Sequence, residues 1–220
     1  MYPLPISSTP LYQCTMWYDV FSIFYDRTLE KRYRRSRAEA VAALQATPGS
    51  LILDVACGTG QNFALLQQYI GDGLIVGVDH SSGMLERARR RIQQAGWINV
   101  HLVQANIHAF SAHQLGETCG RSTVDFVICT LGMTVIADWE RAFERCYELL
   151  RPGGRIVLFD AFAEKRVLQT WGAKWVARAD LSRRFWQPLE ERAKEFRLIN
   201  VPGSPHEFGG RLYVASGTKG

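Results

Sequence analysis

The sequence predicts an α/β fold: a mostly parallel β-sheet with helices packed on both faces. Three observations predict it. Short apolar runs recur along the middle of the chain and alternate with helical stretches of about ten to fifteen residues, the pattern of β-α-β units. The runs are nearly continuous in apolar residues, which suits strands covered on both sides. The first run ends in the glycine turn Cys57-Gly58-Thr59-Gly60.

Each element follows in order. Residues 1–12 hold three prolines and read as a loose arm. From Met16 to about Ala46 the chain reads as helix, with Phe21, Phe24, Tyr25, Leu29 and Tyr33 at spacings of three and four. Thr47-Pro48-Gly49-Ser50 breaks it. Leu51–Val55 is the first strand and Phe63–Ile70 the next helix. Leu74–Val78 is a second strand ended by Asp79. Ser81 caps a helix through Gln94 that places Met84, Leu85, Ala88 and Ile92 on one face.

Val100–Val103 and Val124–Cys129 are the third and fourth strands. A helix over Trp139–Leu150 is stopped by Pro152-Gly153-Gly154, and Ile156–Phe159 is the fifth strand. Beyond it Trp171, Trp175 and Trp186 sit among Arg178, Arg183 and Arg184. A helix over Arg184–Glu195 is expected, then a hairpin of Phe196–Val201 with Arg211–Ser216 as an antiparallel edge. The predicted division is an N-terminal arm and lid helix over 1–47 and a core over 48–220, one domain overall.

Composition bounds the function classes. The 220 residues are 47% hydrophobic and 21% charged, which excludes a mainly disordered chain. The formal charge of +5 permits an anionic partner without requiring one. Cys14, Cys57, Cys119, Cys129 and Cys146 are scattered and form no C-x-x-C pair, so no metal site is expected and a reducing, cytoplasmic setting is. No apolar run approaches a membrane span, and the N-terminus lacks the basic and apolar regions of a signal peptide.

The chemistry concentrates at Asp54-Val-Ala56-Cys-Gly58-Thr-Gly60 and at Asp79. Glycines let a backbone approach a ligand closely, and the helix that follows presents unpaired N–H groups. A carboxylate at the end of the second strand can accept both hydroxyls of a ribose. The pair implies a nucleoside-containing ligand. A dinucleotide turn wants a third glycine where Phe63 stands, and Asp54 would repel a pyrophosphate. Asp54 suits a ligand with positive charge, and no P-loop is present.

At these residues the chain resembles the class I S-adenosylmethionine-dependent methyltransferases, over roughly Tyr18 to Ser216. Asp54–Gly60 resembles their first motif, Val76-Gly-Val-Asp79-His-Ser-Ser-Gly-Met84-Leu the second, and Gln104-Ala-Asn106 the third. Asp125–Thr130 resembles the fourth, and Leu149-Leu-Arg-Pro-Gly-Gly154 the turn before the fifth strand. The resemblance implies a Rossmann-like seven-stranded sheet of order 3-2-1-4-5-7-6 with strand 7 antiparallel, and S-adenosylmethionine as cofactor.

It also implies roles. Asp54, Ala56, Gly58 and Gly60 border the methionine part. Asp79 holds the ribose hydroxyls, His80 and Met84 flank the adenine, and Asn106 and Ile107 sit at its amino edge. Thr130 faces the methionine end. Tyr18-Asp19 and Tyr25-Asp26 resemble the N-terminal signature of the quinone C-methylases and bacterial phospholipid N-methylases, which implies that Tyr25 closes over the cofactor and that Tyr18 is the candidate catalytic residue near the acceptor.

Several of these residues have plainer readings: Asp79 and Asn106 as helix caps, Met84 as core, Tyr18 and Tyr25 as a packing stripe. The expected acceptor is a small or lipid-like molecule, a phospholipid amine or a quinone. Nucleic acid is disfavoured, because the fourth motif lacks [DN]-P-P-[FY] and there is no added RNA-binding module. The basic stretch 27–37 reads either as a solvated helix face or as a peripheral contact with anionic membrane. Two other functions stay open: an NAD-dependent oxidoreductase, and a cofactor-binding module without catalysis.

Overall fold

The computed structural model describes residues 33–164, 179–201 and 210–220. The sheet has seven strands in the order β3-β2-β1-β4-β5-β7-β6. They are β1 (Leu51–Val55), β2 (Leu74–Asp79), β3 (Val100–Gln104), β4 (Val124–Thr130), β5 (Leu150–Phe162), β6 (Ala193–Asn200) and β7 (Arg211–Lys219). Strands β1 to β5 pair in parallel, and β7 runs antiparallel to both β5 and β6. The expected strand order and the antiparallel seventh strand are both present.

Helices cover both faces. The described part of α1 (residues 33–44), with α2 (Phe63–Ile70) and α3 (Ser82–Ala95), packs on one side through Val41, Leu44, Phe63, Leu66, Leu85 and Ala88. On the other, α4 (Ala112–Cys119), α5 (Trp139–Leu149) and α6 (Gln187–Arg192) bury Leu115, Phe143, Cys146 and Leu189. Strand residues feed the two layers alternately: Leu51, Leu53 and Val55 point one way, Ile52 the other. Helix α1 is pinned at its far end, where Nε of buried Arg155 on β5 donates to the Ala43 carbonyl at 2.9 Å.

Three readings change. The Arg184–Glu195 helix is only the short α6, opened by Pro188 near its start. From Ala193 the chain is extended and pairs with β7. Glu195, at φ 53, sits at the irregularity in that pairing. Helix α5 stops at Leu149, and β5 begins at Leu150, so Pro152-Gly153-Gly154 lies inside the strand at a register shift against β4. A helix expected near Ile107 is a turn instead. The helix starts at Ala112, behind a Ser111–Gln114 capping box. Trp186 is buried with Phe162, Phe185 and Tyr213, its ring 4.9 Å from that of Phe162.

Candidate functional site

The carboxyl ends of β1, β2 and β4 meet at one edge of the sheet, the place where open α/β sheets bind ligands. The backbone after β1 turns sharply. Ala56 has φ 52, a strained value for a residue with a side chain, and Gly58 and Gly60 follow at φ 55 and 77. The two glycines differ in kind. A methyl on Gly60 would fall 2.5 Å from the Phe63 ring, whereas one on Gly58 would meet nothing within 4 Å. Gly60 is there for packing, and Gly58 borders open space.

Phe63 is fully buried under this turn, where a methyl added to Gly77 would fall 3.0 Å from its ring. The ring fills the place where a dinucleotide turn brings helix and strand together, which removes the structural basis for that reading.

Asp79 is buried at the end of β2. Its Oδ2 accepts from Gly58 N and its Oδ1 from Ser81 N, each at 2.9 Å. It therefore latches the glycine turn to the start of α3. Burial pushes its pKa up, against the pull of these backbone donors. Ser81 caps α3 by accepting from Met84 N at 3.2 Å, so capping belongs to Ser81 and not to Asp79. Met84 is buried yet lies outside both apolar layers. His80 is exposed at the rim, its Nδ1 3.6 Å from Asp79.

At the third strand, Asn106 is exposed and its Oδ1 accepts from His108 N at 3.1 Å, which shapes the turn after β3. Ile107 is buried in the apolar layer behind it.

Asp54 is the most deeply placed charge. It is fully buried on β1, and Asn62 Nδ2 donates to its Oδ1 at 2.9 Å. Among the described residues its Oδ2 has no hydrogen-bond partner. Desolvation raises its pKa to about 7, only partly opposed by Asn62 and by the Arg37 charge. Asn62 also donates to Thr130 Oγ1 at 3.2 Å, and Arg37 Nη1 donates to Asn62 Oδ1 at 3.1 Å and to Thr130 Oγ1.

So Thr130 enters the site by its side chain, and Arg37 and Asn62 join a network that sequence reasoning did not single out. The signals were small: Asn62 directly follows the glycine turn, and Arg37 sits in a basic run that reads as solvated. The structure brings Asp54, Ala56, Gly58, Gly60, Asp79, Met84 and Thr130 to one edge, with His80, Asn106 and Ile107 beside it. Tyr18 and Tyr25 lie outside the described residues.

A buried carboxylate with a bare oxygen and a second carboxylate beside an open glycine fit a ligand with a cationic group and hydroxyls. A phosphate fits poorly, because both acids would repel it.

Comparison with known proteins finds methyltransferases. Residues 52–154 match the methyltransferase-domain family. The demethylmenaquinone methyltransferase of Symbiobacterium thermophilum is 33% identical over 132 residues, covering 59% of this chain and 50% of that protein. The chain thus spans about half the length of the curated relatives it matches.

Among solved structures, geranyl diphosphate C-methyltransferase from Streptomyces coelicolor, in complex with Mg2+, geranyl diphosphate and S-adenosyl-L-homocysteine, superposes with TM-score 0.69 at 15% identity, covering 86% of this chain and 80% of that one. The N-methyltransferase NodS of Bradyrhizobium japonicum superposes with TM-score 0.62 at 17% identity, covering 88% and 98%. These structures share the fold. Residues 52–154 thus match a methyltransferase domain, and they lie in a sheet of order β3-β2-β1-β4-β5-β7-β6.

Proposed function

We propose that this chain is an S-adenosylmethionine-dependent methyltransferase acting on a small or lipid-like acceptor. The observation that carries the reading is the bare Oδ2 of buried Asp54, set near a second carboxylate, Asp79, at an open glycine turn. An unpaired buried carboxylate oxygen is costly unless a ligand completes it.

S-adenosylmethionine supplies the methyl group, as an electrophilic sulfonium with a neutral leaving group. The chain's residues then act by position. Asp54 meets the ammonium, Asp79 accepts the ribose hydroxyls, and Gly58 leaves room for close approach. Met84, His80 and the Asn106–Ile107 turn border the base. Tyr25 covers the cofactor and Tyr18 faces the acceptor in this reading. Displacement at a sulfonium requires alignment of three atoms and exclusion of water more than a strong base. The described residues fit that demand. His108, for example, is committed through Nε2 to the Asp138 carbonyl at 2.8 Å.

For the acceptor, the sequence relatives point to quinone-like substrates, and an apolar aromatic group of Phe162, Trp186 and Tyr213 lies at the carboxyl end of β5. We place the protein in the cytoplasm, with peripheral membrane contact through residues 27–37. Of that stretch Arg34 and Arg35 face solvent, but Arg37 points into the site. Among the described residues no helix is long and apolar enough to cross a membrane.

The test is calorimetric binding of S-adenosylhomocysteine beside NAD, followed by radiolabelled methyl transfer into lipid and polar extracts. S-adenosylhomocysteine binding with label in the lipid extract supports the proposal. Preference for NAD would overturn it. Binding without transfer to any fraction would favour a non-catalytic module.

A further inference from the structure

Helix α3 carries four arginines, Arg87, Arg89, Arg90 and Arg91, against one acid, Glu86, a net charge of +3 over its length. Glu86 answers two of them at once, Arg89 Nη1 at 2.9 Å and Arg90 Nε at 3.3 Å, so the pairing leaves the helix positive. From Arg87 to Gln104 the chain holds no acidic residue. A basic helix face alone is most often solvated. The turn that follows α3 adds an apolar feature to the charge.

Helix α3 ends in a Schellman motif. Gly96, at φ 68, donates through its N–H to the Gln93 carbonyl, and Trp97 N donates to the Ile92 carbonyl, each at 3.2 Å. That motif gives Trp97 a structural reason to be apolar, and it is half-buried against the layer of α1, α2 and α3. Asn99 is fixed as well: its Nδ2 donates to the Gly73 carbonyl and its Oδ1 accepts from Gln67 Nε2, both at 2.7 Å. Ile98 lies between these two anchors, 95% exposed, and belongs to neither apolar layer. Packing does not explain an isoleucine here, and its anchored neighbours hold it outward. Tyr69, in the last turn of α2, is exposed at the same end of the sheet.

We propose that α3 and the Trp97–Ile98 turn form a docking surface for an anionic lipid bilayer. The arginines meet headgroup phosphates, Ile98 enters the layer beneath them, and Trp97 sits at headgroup level. A nucleic acid fits the arginines, but an isolated aliphatic side chain offers it neither a stacking face nor a hydrogen bond. A protein partner needs an apolar patch far larger than one isoleucine. The turn lies at the end of α3 away from Asp79 and the glycine turn, so docking there leaves the cofactor site open. This docking face is independent of the cofactor reading and separate from residues 27–37.

The experiment is sedimentation of the full chain with vesicles of phosphatidylcholine, alone or with about 30% phosphatidylserine, at low and at raised salt. Binding is expected to the anionic vesicles only, and to weaken as salt rises. Replacing Arg89 and Arg90 together by Gln removes two charges and should weaken binding about 20- to 30-fold, about fivefold for each. Ile98→Ser should weaken it about 10-fold at either salt concentration, and I98L, which keeps the apolar tip, should bind within about twofold of wild type. All of these positions are exposed, so every variant should melt within about 2 °C of wild type, which shows that lost binding is not lost folding.

Equal binding of wild type and I98S overturns the proposal, and so does equal binding to neutral and anionic vesicles. Salt-dependent capture by an unrelated DNA duplex, with no binding to vesicles, overturns it too and makes the arginines a nucleic-acid contact.

Discussion

Replacement of Asp79 by Asn separates its two tasks. In the structure the carboxylate accepts from Gly58 N and Ser81 N with different oxygens. An amide has one oxygen, so one of these backbone donors would face an NH2 group. A buried N–H left without an acceptor costs about 1–3 kcal/mol. Against this, burial already disfavours the charged carboxyl, as its raised pKa records, and a neutral amide avoids that cost. The net loss of stability is then about 1 kcal/mol, a fall in Tm of about 2–4 °C for a chain of this size.

The effect on binding is larger. A carboxylate that accepts two ribose hydroxyls contributes charge-assisted bonds, and Asn offers one acceptor in their place. A loss of about 2–3 kcal/mol follows, which is a 30- to 150-fold weaker Kd. Differential scanning calorimetry reads the first number and titration with S-adenosylhomocysteine the second. A variant that melts lower but binds within threefold of wild type would refute the ribose role and leave Asp79 as a latch for the glycine turn.

The other predictions use the same two methods. Asp54 has a pKa of about 7 in the folded protein against 3.8 ordinarily, so the folded state holds more protons between those values. Ligand-free stability therefore falls as pH rises from about 4 to 7, and D54N flattens that slope. S-adenosylhomocysteine affinity should rise between pH 6 and 8, as Asp54 ionises to meet the ammonium, and calorimetry in two buffers should register proton release.

Gly58→Ala should lower Tm by only a few degrees, from the φ of 55, yet weaken binding at least tenfold. Gly60→Ala should instead be poorly folded, since its methyl lies 2.5 Å from the Phe63 ring; equal melting points for the two variants would refute the distinction. Lys219 Nζ donates to the Tyr147 and Leu150 carbonyls at 2.6 and 2.7 Å and so caps the end of α5. Lys219→Met should cost about 1 kcal/mol, read as a Tm shift of 2–4 °C without a change in binding.

The strands were legible because parallel strands buried on both faces must be short and apolar, and Leu51–Val55 and Val124–Cys129 contain little else. Helix α4 was not, because Ala112–Cys119 buries only Leu115 and is announced by its Ser111–Gln114 cap more than by any apolar stripe. The start of β6, Ala193–Glu195, reads as helix for a related reason. It is an edge strand with most side chains exposed, so Lys194, Glu195 and Arg197 carry no inward alternation, and its pairing with β7 decides its state.

At the site, Asp54, Gly58 and Asp79 stand in a local motif and could be read from spacing. Asn62 and Thr130 are joined by contacts across 68 residues and Arg37 and Thr130 across 93, which no local pattern contains.

Arginine placement shows why a charge count says little about where charge acts. The net +5 and the basic run up to Arg37 suggest an outward-facing surface. Yet Arg37 enters the pocket, Arg155 bonds to the Ala43 carbonyl, and Arg183 donates to the Met133 and Ile136 carbonyls. Each of these arginines fastens a segment near the carboxyl ends of the strands or anchors the helix that reaches them. Long side chains of fixed charge, turned inward onto carbonyl and amide oxygens, hold in place what the apolar layers alone would leave free to slide. The pocket's sign is then set by which charges lack a bond. Asp54 Oδ2 is bare, whereas Nη1 of Arg37 is engaged, so the pocket presents a carboxylate first. In the proposed reading a cation meets that bare oxygen and a phosphate would be repelled by it, and Phe63, buried under the glycine turn, occupies the place of a dinucleotide turn's third glycine.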